Sequence, residues 1–178
     1  MFGFGREKLP MRVAAAAFVD QMSQEIASSL PAIREVIDAF CGGSEAIDDK
    51  QLHTELFPAV LAIGLQPVRN IWDAATFERA RREVVRLIEG FDQPELSYYL
   101  KLRLDEYLIA WREADPMKGG NMPHDAVTGG VLSHLQVARL MIGDTAFISP
   151  IAIMSVSSIL VTLVGKYWKD IEKQFKLT

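Results

Sequence analysis

Three histidines, one cysteine and an adjacent pair of aspartates are the residues whose chemistry could be catalytic or metal-binding. His53, His124 and His134 show neither HxxxH nor HExxH spacing. Two imidazoles therefore do not share a helix face, and a helical zinc or di-iron site is not expected. Cys41 is the single cysteine, so no internal disulfide is available, and with no neighbouring histidine to activate it, it reads as a small buried apolar side chain. Asp48 and Asp49 stand before an apolar-periodic segment, where carboxylates cap a helix. The chain has no GxxxxGK[S/T], no GxGxxG after a strand pattern and no GxSxG. Phosphate cradles and a nucleophile elbow are thus not expected, and neither is a metal or a cofactor.

One histidine stands apart. His134 falls within the apolar arc Val127, Val131, Leu135, Ala138, Met141 and Ile142 of a segment capped by His124 or Asp125. Its side chain leans over the preceding turn, where Gly130 leaves room for a ligand, a water or another backbone. His134, Gly130, His124 and Asp125 are therefore the candidate ligand-binding residues of a helical pocket that would bind or transform a small apolar molecule.

The elements that would hold such a site are helical throughout. No segment shows period-two alternation, while proline, glycine and capping residues mark off six to eight helices, some kinked at proline. Pro10 opens a helix in which Ala14, Phe18, Met22 and Ile26 recur every four residues. Ser29 and Pro31 restart it with Ile33, Val36, Ile37 and Phe40 as the buried face, and Gly42-Gly43 ends it. Leu52, Leu56, Val60 and Leu61 follow, with breaks expected at Pro58 and Pro67. Phe77, Ala80, Val84, Leu87 and Ile88 make the next stripe, opposite Arg79, Arg82 and Arg86 with Glu78 and Glu83 spaced to pair with them.

Asp92-Gln93-Pro94-Glu95 has the form of a capping box. The helix it opens carries Leu96, Leu100, Leu104, Tyr107, Leu108 and Trp111 on one broad face and Tyr98, Leu102 and Ile109 on a narrow second stripe. Two stripes need two partners: either the chain covers both sides of this helix, or the second is a seam for another protein or a second copy. Residues 115–123, DPMKGGNMP, form the main loop, where Met117 and Met122 could make an adaptable contact. Residues 1–9 read as a flexible N-terminal arm whose Phe2 and Phe4, set among glycines, are further partner-interface candidates.

The stretch from Thr145 to Gly165 carries no charge, which raises the question of a membrane span. Ser149-Pro150 reads as a helix start, and sixteen residues from there reach ~24 Å, short of a ~30 Å hydrocarbon core. Ser155, Ser158, Thr162 and Gly165 share an arc that Lys166, Lys169, Lys173 and Lys176 continue, opposite Val156, Leu160, Val164, Tyr167, Trp168, Ile171 and Phe175. One long amphipathic C-terminal helix is expected, with the small hydroxyl residues at a close contact and membrane association possible but not favoured.

The totals agree with a single all-α domain over residues 1–178, long enough to bury a core without staples. A hydrophobic fraction of 49% and a mean hydropathy of +0.12 are high, yet 24% charged residues exclude a protein made mostly of membrane spans. A net charge of −4 argues against a nucleic-acid partner. The opening MFGFGREK lacks the form of a secretory signal, and with a lone cysteine the expectation is a cytoplasmic protein. Two functions are therefore carried forward. The first is a non-catalytic interaction protein, an adaptor, assembly or regulatory factor that binds a protein partner or itself as a homo-oligomer; the second is the His134 pocket protein.

Overall fold

A computed structural model describes residues 6–40, 49–113, 150–164 and 167–178. In order these form β1 (Glu7–Leu9), α1 (Met11–Phe40), α2 (Asp49–Ile71), α3 (Ala74–Glu89), α4 (Pro94–Glu113), α5 (Pro150–Val164 and Tyr167–Gln174) and β2 (Phe175–Leu177). Helices take 88% of the described residues, so the all-α expectation holds in its broad form. The number of helices among those residues is five and does not match the expected six to eight.

Proline is the reason for the difference. Pro31 lies inside α1, and Pro58 and Pro67 lie inside α2, without dividing either. Pro31 and Ala27, whose carbonyl loses its helical donor, are both on the exposed side of α1, where water can replace the missing bond. In α2 the compensation is burial. Every residue from Glu55 to Leu65 is buried, and each enclosed Leu, Ile or Phe contributes about 1.5–3 kcal/mol against the ~3 kcal/mol of an interior proline. A helix buried all round is a central helix, and α1, α3, α4 and α5 all pack against α2.

The i, i+4 stripe of α1 is fully enclosed at Ala14, Phe18, Met22, Ile26 and Ile33, whereas Phe40, expected inside, is largely exposed. In α3 Phe77, Ala80, Val84 and Ile88 of the expected face are buried and Leu87 is half-buried. Asp73 caps that helix by accepting a bond from the Thr76 amide at 2.6 Å. The hydroxyl of Ser97 donates to the Ile88 carbonyl at 2.9 Å and fixes the start of α4 on the end of α3. The α5 side chains Ala152, Val156, Leu160 and Leu163 are buried against α1 and α2. Tyr167 donates to the Ala14 carbonyl at 2.6 Å. Trp168 is buried with its ring centroid 5.2 Å from Phe18 and 6.2 Å from Trp72.

Two terminal expectations are corrected. Residues 7–9 are not a loose arm: β1 runs parallel to β2 with Glu7 opposite Phe175, Lys8 opposite Lys176 and Leu9 opposite Leu177. Met11 N–H donates to Thr178 and Thr178 N–H to Leu9, at 2.9 and 3.0 Å. The helical arc therefore does not run to the end of the chain, because Phe175 and Lys176 belong to a strand. Three-residue strands are too short to register as alternation.

Candidate functional site

Inside the apolar run of α2 sits one carboxylate. Glu55 is buried, and the groups that meet it all come from one face of α4, where Tyr99, Arg103 and Tyr107 recur every four residues. Tyr99 donates its hydroxyl to Glu55 Oε1. At Oε2, Arg103 Nε lies at 2.8 Å, Arg103 Nη2 at 2.7 Å and the Tyr107 hydroxyl at 2.5 Å. Arg103 also reaches the Tyr107 hydroxyl at 2.9 Å, stands over its ring at 4.8 Å and pairs with Glu106.

Both oxygens of Glu55 are thus engaged, the shortest contacts being charge-assisted. The surroundings keep the phenols protonated. Burial first, then the bond to Glu55, pushes Tyr99 up to about 12; burial and the Glu55 charge hold Tyr107 well above the usual tyrosine range. Among the described residues the partners of this carboxylate are all side chains of α4. What it does is mechanical: it fixes the rotation of α4 against α2, since turning α4 by one residue would leave a buried charge unpaired.

That rotation decides what α4 turns outward. Tyr98 is 71% exposed, Leu102 46% and Ile109 43%. With Asp105 they follow a spacing of four, three and four residues, the a/d rhythm of a helix seam. Asp105 does not project unpaired, because Arg81 of α3 holds it at 2.6 Å. Lys101 and Glu106 flank the stripe. These flanking charges have partners within the chain, Lys101 pairing with Glu89 and Glu106 with Arg103.

Known protein families, curated proteins and solved structures contain no match to this chain. The reading rests on the geometry. Of the residues singled out in the sequence, the structure brings Tyr98, Leu102 and Ile109 together on one exposed arc. Phe2, Phe4, His124, Asp125, Gly130 and His134 lie outside the described residues, as do Cys41 and the main loop. His53 is exposed on α2, and among the described residues no group of three His, Cys, Asp or Glu side chains is placed to hold a metal ion.

The Glu55 cluster was not anticipated, although a signal existed. Glu55 interrupts the apolar phase between Leu52 and Leu56, and Arg103 interrupts that between Leu100 and Leu104. One opposite charge at a core-phase position on each of two helices is what a buried pair looks like in sequence. Of the Ser/Thr stripe of α5, Ser158 and Thr162 are exposed and so make no close helix contact within the described chain, and the Thr162 hydroxyl bonds back to the Ile159 carbonyl at 2.7 Å.

Proposed function

We infer that this chain is a non-catalytic interaction protein that self-associates through the outer face of α4. The observation that carries the reading is the exposed stripe of Tyr98, Leu102 and Ile109 on a helix whose opposite face is locked. A narrow apolar seam with charged flanks suits a partner helix, since the apolar strip supplies affinity and the flanks supply register. Lys101 and Glu106 stand five residues apart on opposite sides of the seam, the spacing at which unlike charges meet across a parallel helix pair. Asp105 within the seam lowers the strength of such a pairing and favours a reversible dimer.

Sedimentation velocity over a concentration series tests this. A reversible dimer is expected, and Leu102→Glu is expected to weaken it at least about a hundredfold by placing like charges in the seam. A wild-type chain that stays monomeric at every concentration, or a dimer that Leu102→Glu leaves unchanged, removes the basis for the reading.

A further inference from the structure

The outward face of α5 differs from every other helix surface in the described chain. Met154 is 64% exposed and Val161 48%, and with the exposed Ser158 and Thr162 they occupy one side of Pro150–Val164. No charged residue interrupts this helix stretch, whereas a helix facing water ordinarily carries charge there. Thr162 donates its hydroxyl within the helix to the Ile159 carbonyl.

Charge begins where the apolar face ends. Between Lys166 and Lys176 the chain holds four lysines against Asp170 and Glu172. Lys169 and Lys173 are exposed, Lys173 pairing with Asp170 at 3.3 Å. The sequence places these two lysines on the arc of Ser158 and Thr162.

We propose that this face lies on a lipid surface, with Met154 and Val161 entering the headgroup boundary of an anionic bilayer and Lys169 and Lys173 facing its charge. An uncharged strip followed by a basic end is complementary to such a surface. Pro150–Gln174 meets the length and composition of a membrane span, but the side opposite Met154 is committed to the core through Ala152, Val156, Leu160 and Leu163. A span would expose that packing, so attachment is peripheral. The fifteen residues of the apolar stretch reach ~22 Å, enough to lie along the interface and too short to cross a ~30 Å core.

Flotation of the full chain with phosphatidylcholine vesicles, with and without phosphatidylserine, tests the proposal. The chain is expected to rise with the anionic vesicles and to stay largely behind with the neutral ones. Met154→Glu is expected to lower the bound fraction about tenfold, and Lys169→Ala about fivefold. Leu102→Glu, on α4, is expected to leave flotation unchanged, which separates this surface from the self-association seam. A fluorophore placed by Met154→Cys in a Cys41→Ser chain gives a second readout, a blue shift on addition of anionic vesicles. Failure to float with either vesicle overturns the proposal, as does undiminished flotation of Met154→Glu. So does a Met154→Glu chain whose one change is loss of self-association, since the face would then belong to a second copy.

Discussion

α4 and α5 each lay one side against α2 and turn the other outward, yet they are built from opposite materials. Behind α4 is a buried charge cluster, Glu55 with Arg103, Tyr99 and Tyr107, and before it an apolar seam flanked by charge. Behind α5 is an aliphatic and aromatic core, and before its Pro150–Val164 stretch a face without charge. Polar contacts are directional and fix rotation, while apolar packing fixes distance and tolerates small rotations. A helix that must present a seam in register is therefore held by hydrogen bonds. One that rests on a fluid surface needs no such precision.

The comparison breaks most sharply at Arg103. Arg103→Met leaves Glu55 buried without its counter-charge, and a loss of about 3–5 kcal/mol in urea unfolding is expected. Adding Glu55→Leu to that variant is expected to restore most of the loss, because the desolvation cost leaves with the charge. If the double variant is no more stable than the single, the cluster is not a coupled unit. Behind α5 the expected loss has another origin. Leu160→Ala should lower stability by about 2–5 kcal/mol through transfer and cavity terms, and Glu55→Leu is expected not to rescue it.

The smallest effect is a pH dependence that falls chiefly on the α4 side. Tyr99 is pushed up to about 12 and Tyr107 well above its ordinary value, while on α5 burial alone takes Tyr167 to about 12. Below pH 10 these phenols are protonated in both folded and unfolded chains, and their contribution is complete. Above it the unfolded chain loses protons that the folded chain retains, so stability should fall from pH 10 through about 12. Denaturation midpoints across that window are expected to drop less in Tyr99→Phe than in the wild type; an equal drop would show that Tyr99 plays no part.

Much of the helical frame was legible because period and capping are local properties. Phe77, Ala80, Val84 and Ile88 mark the buried face of α3 in sequence and structure alike. The two prolines of α2 misled for a non-local reason: their cost is fixed by the backbone, but the burial that outweighs it comes from four other helices. The same non-locality hid which helix is central. Two stripes on α4 suggested cover on both sides, whereas the enclosed helix is α2 and the second stripe of α4 faces out. Tyr98, Leu102 and Ile109 could be grouped from spacing alone. Glu55 and Arg103 each stand out at a core-phase position, but with 48 residues between them their pairing shows only when both helices are compared.

The strand pair gives the fold an order in time. Leu9 and Leu177 stand side by side, so the first turn of α1 is anchored by residues synthesised long after it. Until then α1 can pack its Ala14–Phe18–Met22 stripe only against neighbours already made, and closure of the long loop between Leu9 and Leu177 comes late. A chain without residues 175–178 should therefore protect the centre of α1 from hydrogen exchange while leaving Met11 unprotected, because the Met11 amide bonds the carbonyl of Thr178.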